Sequence, residues 1–431
     1  MRFGIGRRDI TPPLYTHMHG YAARRDTNDG VNDPLTFTAI VMEEGGRRAL
    51  LGAADICTFP NDGSVLDFLK QVGKAIGCPA ANVMLNASHT HGGPRIPGSS
   101  RYWRDFPSRT VEDYRDQLYA QVLEAAREAA DNLMEGSLWY GEGKTRLPMN
   151  RRPERDGRVV NAPNPDGPVD DRMQLLLFRK ATGEAAAVGV KVSCHPVATG
   201  AQHLITADWP GAWRAAFSNV FGPDVIPFFL QGAGADARPR HVAEGDHWRA
   251  MKHAELAKIG DELLAETLAI LTGMNLRPID NLTLQGKINV VQAPCEKQYT
   301  TREQLESLKG EGGLLQQYAK AGLERLDMGE EIPDQVAFQV QTLWLNRDLA
   351  LIGLDVEPLC GLARTVEEIV APAQAVLLGY TNGCVGYTPD TEEMKRGGYE
   401  TGSYLPKLWS GPLKPGLEDL FASAVVLHAG N

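Results

Sequence analysis

The chain has 431 residues, of which 43% are hydrophobic and 23% are charged. These fractions are typical of a globular protein and exclude wholesale disorder. With 44 basic residues against 54 acidic ones, the net charge is −10. An acidic balance disfavours a nucleic acid or an anionic membrane surface as the partner, because both attract basic faces.

The cysteines and the first residues of the chain give an expectation for the cellular location of the protein. The six cysteines are scattered and form no C-x-x-C pair, so neither a disulfide framework nor a thiolate zinc site is expected. The opening MRFGIGRRDITPP has no apolar segment behind its charges, and no run approaches 18 apolar residues. We therefore expect a cytoplasmic protein with no signal peptide and no membrane span.

Apolar runs and helical periodicity alternate along the chain. In chain order they predict strands 37–42 and 49–54, helix 64–76, strand 82–86, helix 110–133, strands 174–178, 186–193 and 225–230, helix 247–271, strand 282–291, helix 302–326 in two pieces, strands 336–345, 350–354 and 375–379, and helix 417–427. A polar stretch rich in Pro, Gly and Asn, 153–171, predicts a surface loop. This interleaving predicts an α/β fold, with α+β as the alternative, in which a mixed β-sheet core is flanked by helices. We expect residues 1–431 to form a single domain.

Four predicted strands lead into unusual polar residues. The runs ANVMLN, AAAVGVKVSC, LALIGLDV and AVLLGYTN lead respectively to His89 and His91, to His195, to Glu357 and to Tyr387. Open α/β sheets place their sites at the carboxyl ends of strands. The sequence therefore predicts that these five side chains converge on one rim of the sheet.

The pair formed by His89 and His91 is the sharpest local signal. In a strand, residues i and i+2 point to the same face, so both imidazoles can reach one centre, and imidazole nitrogens suit zinc. The glycines that follow them, Gly92 and Gly93, favour a tight turn. The alternative is a pair of histidines hydrogen-bonded within that turn.

Each of the other candidates also has a structural interpretation. His195 follows an apolar strand, where a lone histidine is more often structural than a ligand. Glu357 can act as an N-cap partner of the helix that follows it, and Tyr387 can simply pack. His17 and His19 form a second His-x-His pair near the amino end and are a rival metal site, although no apolar strand leads into them.

Other common catalytic motifs are missing from the sequence. It contains no G-x-S-x-G elbow, no H-E-x-x-H motif and no Walker loop. The run Gly232-Ala233-Gly234 is only a fragment of a dinucleotide fingerprint, without the strand, helix and trailing acid that such a site needs. A nicotinamide-dependent enzyme is therefore not expected.

Together, these motifs resemble the catalytic domain of the neutral/alkaline ceramidases, which are zinc-dependent amide hydrolases. NASHTHGGP at 86–94 is similar to the family signature nearly letter for letter, and GIGRRDIT at 4–11 looks like the family's start. Cys194-His195-Pro196 stands where the family has its second zinc histidine. Asn150-Arg151, Glu357, and Tyr387 with Tyr399-Glu400 twelve residues later keep the family's order, so the resemblance covers most of residues 1–431.

The resemblance implies a zinc site and its catalytic neighbours. The implied Zn²⁺ ligands are His89, His195, Glu357 and Tyr387. The implied catalytic residues are His91 as general acid/base, and Arg151 and Tyr399 as stabilisers of the oxyanion. Such a set leaves an open metal position for water, which zinc activates while it polarises the scissile carbonyl.

One departure from the family pattern concerns the substrate. The family has a Gly-Asp-x-Ser-Pro stretch whose serine lies at the active site, and the matching stretch here, QGAGADARP at 231–239, has Arg238 at the place of the serine. A buried guanidinium needs a partner. That partner is either an internal acid, such as Asp208 or Asp236, or a substrate carboxylate or set of sugar-like hydroxyls, which makes Arg238 a candidate substrate-binding residue.

A second expected departure concerns the end of the chain at Asn431, where we expect no accessory carboxyl-terminal domain like that of the long ceramidases. We therefore expect a zinc hydrolase that acts on an amide-type carbonyl of a small-molecule substrate more polar than ceramide. One alternative is a zinc hydrolase of an ester, lactone or glycosidic bond, since a fold does not determine the bond cleaved. The other is a metal- or ligand-binding module without catalysis.

Overall fold

The computed structural model describes residues 1–21, 24, 26–96 and 109–428. Its strands, in chain order, are β1 (Arg2–Asp9), β2 (Gly30–Val31), β3 (Thr36–Glu44), β4 (Arg47–Ala54), β5 (Val83–Ala87), β6 (Met134–Lys144), β7 (Pro148–Asn150), β8 (Glu154–Arg155), β9 (Arg158–Val159), β10 (Arg172–Lys180), β11 (Ala185–Val192), β12 (Leu204–Ile205), β13 (Ile226–Gln231), β14 (Ala237–Pro239), β15 (Ala243–Glu244), β16 (His247–Trp248), β17 (Arg277–Ile279), β18 (Gln285–Pro294), β19 (Gln335–Asn346), β20 (Leu349–Leu354), β21 (Glu357–Pro358), β22 (Gln374–Leu378) and β23 (Tyr387–Thr388). Its α-helices are α1 (Ser64–Ile76), α2 (Arg109–Asp131), α3 (Trp209–Phe221), α4 (Leu256–Leu271), α5 (Arg302–Ser307), α6 (Gly313–Asp327), α7 (Cys360–Glu368), α8 (Thr391–Arg396), α9 (Tyr404–Lys407) and α10 (Leu417–Ala424).

Two mixed sheets form the centre of the molecule. The first has the strand order β13-β11-β10-β6-β1-β3-β4-β5, with β17 added beside β6, and the second has the order β18-β19-β20-β22. The pairs β4·β5, β11·β13 and β20·β22 are parallel. The other neighbours in both sheets are antiparallel. The prediction of a mixed sheet core is confirmed.

The sheets pack face to face, and helices cover their outer faces. One hydrophobic cluster joins side chains of both sheets, including Leu51 and Phe178 of the first and Leu351 and Leu378 of the second. On the far side of the first sheet, α1 and α2 pack against β3, β4 and β5, and α3 and α4 pack against β10, β11 and β13. Helices α7 and α10 cover the far side of the second sheet. The order of layers is therefore helix, sheet, sheet, helix.

Strand β1 crosses α2 at unusually short range. A Cβ atom at Gly4 would lie 1.9 Å from the carbonyl oxygen of Ala129, and one at Gly6 would lie 2.0 Å from that of Ala125. Glycine is therefore required on this face of the strand. Glycine inside a strand weakens the apolar pattern by which strands are recognised, which explains why β1 was not predicted from the sequence.

The other predicted elements can be compared directly. All ten predicted strands are present, and helix 64–76 is confirmed as α1. The prediction of one helix over 247–271 is wrong in its first half, because β16 forms a hairpin with β15 and α4 begins only at Leu256. Helix α3 was not predicted. The stretch 153–171 contains the exposed hairpin β8·β9, as expected for a surface excursion.

None of the helices described here is both long and apolar enough to cross a bilayer.

Candidate metal centre and active site

Asn86, near the end of β5, links strand ends from both sheets through hydrogen bonds. Its fully buried amide donates to the carbonyl oxygen of Gly379 at 2.7 Å and to that of Gln231 at 3.3 Å, and its Oδ1 accepts from the Gln231 amide at 2.8 Å. These contacts bring the ends of β5, β13 and β22 to one place. The predicted convergence of strand ends is present, and this side chain is one physical cause of it.

His89 follows β5 in a strained turn. Its φ is 62°, a left-handed conformation that is costly for a residue with a Cβ, and its amide donates to the carbonyl of Ile56 at 2.9 Å. The ring Nδ1 contacts the carbonyl oxygen of Cys57 at 2.8 Å. A carbonyl oxygen only accepts, so Nδ1 carries a proton, and Nε2, 3.2 Å from Glu357 Oε2, is the nitrogen that could bind a metal. Burial would lower the pKa of His89, but Cys57 and Glu357 raise it well above its ordinary value.

His195 is held in the same manner from the opposite side. Its Nδ1 contacts the carbonyl oxygen of Gly234 at 2.5 Å, and its Nε2 lies 3.4 Å from Glu357 Oε2. Neither Nε2 nor Oε2 makes a well-formed hydrogen bond with a described residue, although both atoms are buried. In metal-binding histidines, the ring nitrogen that does not bind the metal usually donates a hydrogen bond to such an acceptor, which fixes the orientation of the ring.

The ligand atoms of His89, His195 and Glu357 all lie within 4.8 Å of one another. Burial would raise the pKa of Glu357, but the two histidines lower it well below its usual range, so the carboxyl is an anion. Burial lowers the pKa of His195 to about 3, so this imidazole is neutral and can donate a lone pair. Two imidazoles and one carboxylate are a donor set that zinc accepts, and the residues fit such an ion.

Tyr387, the predicted fourth ligand, lies beside Glu357 because β21 and β23 pair in parallel with these two residues in register. Burial, followed by the charge of Glu357, raises the pKa of the Tyr387 phenol well above its ordinary value. The structure thus brings the tyrosine next to the carboxylate, and its role as a ligand stays a prediction.

His91 stands at the edge of this centre. Its Nε2 lies 3.3 Å from Nε2 of His89, and burial, then the two neighbouring imidazoles, lower its pKa well below the ordinary value. A Cβ at Gly20 would lie 2.2 Å from the His91 ring, so glycine is needed there. The two histidines meet as predicted, but the stated reason was wrong, because β5 ends at Ala87 and the strand alternation does not extend to them.

The predicted oxyanion group forms a second cluster beside the first. The guanidinium carbon of Arg151 lies 5.5 Å from the ring centre of Tyr387 and 6.0 Å from that of Tyr399. Its Nε donates to Glu400 at 2.9 Å, and its buried Nη2 has no hydrogen-bond partner among the described residues. Glu400 also pairs with Arg152. One buried carboxylate therefore positions the arginine and leaves one of its donors free.

Arg238 lies on the rim of the same site. Its charge acts on Arg151, Tyr21, Tyr387 and Tyr399, and burial followed by the charge of Arg151 lowers its pKa. No carboxylate of a described residue forms an ion pair with it. The internal partners considered above are engaged elsewhere, as Asp208 caps α3 and Asp236 accepts from the amide of Cys360.

Several residues of the site were not predicted as functional. Tyr21 packs edge-on against His91 with ring centres 4.8 Å apart, and Tyr380 stacks on His89 at 4.1 Å. Tyr21 lies two residues after His19, so the second His-x-His pair did mark a segment that reaches the site. Within the described ranges, however, His17 and His19 join no cluster of three metal-ligating side chains.

Comparisons with known proteins identify the family of this chain. The model of the family described as neutral/alkaline non-lysosomal ceramidase, N-terminal, matches residues 1–223. The neutral ceramidase of Pseudomonas aeruginosa is 29% identical over 227 residues, and this match covers 49% of the chain and 32% of that relative.

Two solved structures share the fold. One is described as a ceramidase complexed with C2 (TM-score 0.73, 20% identity, 98% of this chain and 74% of that chain). The other is the crystal structure of the neutral ceramidase from Pseudomonas aeruginosa (TM-score 0.71, 21% identity, 98% and 73%). The fold is thus that of the ceramidases, and the family model spans the part of the chain that carries His89, His91, Arg151 and His195. The chain therefore belongs to the neutral/alkaline non-lysosomal ceramidase family.

Proposed function

We propose that the protein is a zinc-dependent hydrolase in which water attacks an amide-type carbonyl of a small, polar substrate. The observation that carries this proposal is the convergence of His89, His195 and Glu357 within 4.8 Å, with His91 directly beside them. Zinc held by these three residues and Tyr387 would acidify a water to a pKa of about 7 and polarise the carbonyl.

In this mechanism His91 moves the proton. Because its pKa is held low, the imidazole is neutral near pH 7 and accepts the proton of the attacking water as that water adds to the carbonyl. The same imidazole then delivers the proton to the nitrogen that leaves when the C–N bond breaks. The products of this amide hydrolysis are a carboxylic acid and an amine.

Arg151 and Tyr399 stabilise the negative charge that develops on the carbonyl oxygen. The unpaired Nη2 of Arg151 supplies a charged donor, and its orientation is set by Glu400 rather than by the substrate. A donor fixed in advance stabilises the transition state without reorganisation. The cluster of Arg151, Tyr387 and Tyr399 therefore supports a reaction through an oxyanion.

The test combines metal analysis with an amide screen. The purified protein should contain one zinc per chain, and chelation should abolish hydrolysis of N-acyl amides that zinc then restores. Glu357→Gln should lower zinc content and activity together. His203→Ala removes a histidine that is 43% exposed and belongs to no cluster of three metal-ligating side chains among the described residues, and it should change neither quantity. A fully active protein after complete zinc removal would contradict the proposal.

A further inference from the structure

Arg238 is built rigidly into the wall of the site. The segment around β14 pairs with β7 in antiparallel register, with Arg238 opposite Met149. The preceding residue, Ala237, accepts a hydrogen bond from the His195 amide at 3.1 Å, and Asp236 accepts one from the Arg151 amide at 2.9 Å. The backbone of Arg238 is therefore fixed between a candidate zinc ligand and the candidate oxyanion residue.

The charge of Arg238 is not matched by the protein. The buried arginines Arg151, Arg152 and Arg214, and the half-buried Arg172, each pair with at least one carboxylate. Arg24, which is also buried, donates instead to backbone carbonyl oxygens. Arg238 forms no such pair within the described ranges, and its Nε is buried without a hydrogen-bond partner. An unpaired guanidinium in a partly desolvated site is costly unless a ligand completes it.

An indole holds the guanidinium in place. The Cζ atom of Arg238 lies 5.4 Å from the ring centre of Trp248, and the indole nitrogen of Trp248 donates to Asn161 at 3.0 Å. Stacking of this kind orients a guanidinium while its in-plane donors stay available. A fixed, half-buried, unpaired fork of donors is suited to a planar anion rather than to scattered hydroxyl groups.

We infer that Arg238 is a specificity-determining residue that binds a carboxylate of the substrate close to the scissile amide. This inference rests on the proposed amide hydrolysis and adds the chemical class of the substrate. The enzyme should thus favour N-acyl compounds that carry a carboxylate over neutral amides of the same size.

The test uses pairs of amides that differ only in charge. In one series the carboxylate is on the amine half, as in N-acylglycines, and in the other on the acyl half, as in N-succinyl amines; each acid is compared with its carboxamide. The zinc-loaded wild type should prefer the acid of at least one series about 10- to 100-fold in kcat/KM, the range expected of a charged hydrogen bond. In Arg238→Gln this ratio should fall towards 1, mainly through KM, and Arg238→Lys should retain part of it.

Arg179→Gln is the matched control. Arg179 also stacks on an indole, with Cζ 4.7 Å from the Trp139 ring centre, but on β10 outside the site; its replacement should leave the ratio unchanged. A wild type that prefers the neutral member of both pairs would overturn the inference. An equal loss on both members in Arg238→Gln would also overturn it, because that result indicates a structural role.

A binding measurement separates this inference from the proposed function. If no amide of either series is hydrolysed, the proposed function fails, and titration of N-acetylglycine into wild type and Arg238→Gln by calorimetry still tests the carboxylate site. Binding at least 10-fold weaker in the variant supports the site, and equal binding refutes it.

Discussion

Glu400 contacts both the proposed oxyanion residue Arg151 and its neighbour Arg152, so its replacement should affect catalysis and the stability of the fold. The side chain is 2% exposed and lies between the guanidinium groups of Arg151 and Arg152, which are 3% and 1% exposed. In Glu400→Gln, Arg152 keeps Glu393 at 2.7 Å and the carbonyl of Gly397 at 2.6 Å. Arg151 keeps no other carboxylate among the described residues. The variant thus leaves one buried cation uncompensated, which should cost about 3 kcal/mol of unfolding free energy.

The same change should disturb catalysis, because the orientation of the free Nη2 of Arg151 depends on the Glu400 contact to its Nε. Loss of one oriented oxyanion donor lowers kcat by about 10²-fold or more. Unfolding in urea, followed by circular dichroism at saturating zinc, measures the first effect, and steady-state kinetics on an N-acyl amide measures the second. Zinc content should stay at one per chain, since Glu400 contacts none of the three clustered ligands.

Glu393→Gln provides the comparison. It removes a carboxylate from Arg152 and from Arg396, and it leaves the pair between Arg151 and Glu400 intact. It should cost about 1 kcal/mol and reduce kcat far less than Glu400→Gln does. Equal losses of activity in both variants, or a Glu400→Gln protein within about 1 kcal/mol of wild type, would refute the argument that Glu400 positions Arg151.

Three further predictions concern proton transfer, pH and assembly of the site. His91→Ala should lower kcat by about 10²- to 10⁴-fold while zinc content, measured by plasma mass spectrometry, is unchanged; a parallel loss of zinc would make His91 a ligand instead. Burial raises the pKa of Asp236 to about 6, so the stability that its neutral form contributes is present below the unfolded pKa near 4 and is lost as pH rises through 6. Between pH 4 and 7, the unfolding free energy of the wild type, measured in urea, should therefore fall by about 3 kcal/mol relative to that of Asp236→Asn. Identical pH profiles of the two proteins would disprove the pKa shift. Asn86→Ala should cost about 3 kcal/mol because it leaves buried backbone groups unpaired, whereas Asn289→Ala, which removes one half-buried bond to Ala424, should cost about 1 kcal/mol.

The sequence predicted the strands well where both faces of a strand are buried, since apolar runs mark burial. It could not predict which neighbour each face meets. In β20, Leu351 points into the core between the sheets, while Ala350 and Ile352 point towards α7 and α10. All three residues belong to one apolar run. The stacking of two sheets follows from the packing of many such faces, which no local pattern contains.

The site was predictable in its residue types and less so in its geometry. His89, His195 and Glu357 stood out because each follows an apolar run, and the structure gathers them. His89 lies in a left-handed turn, and the carbonyl that orients its ring belongs to Cys57, 32 residues earlier in the chain. Such support depends on tertiary contacts, so it was not visible in the sequence. The single-domain organisation and the cytoplasmic location stay predictions.

The long-range bonds at the site have a consequence for the order of folding. Asn86 bonds to Gly379, 293 residues later, and Arg151 to Glu400, 249 residues later. Closing loops of this length is slow, because their entropy is lost before the contacts form. During synthesis the histidines leave the ribosome long before the carboxylates that complete their surroundings. We therefore expect the proposed active centre to be among the last parts of the molecule to mature, and the proposed zinc to enter a chain whose two sheets have already docked.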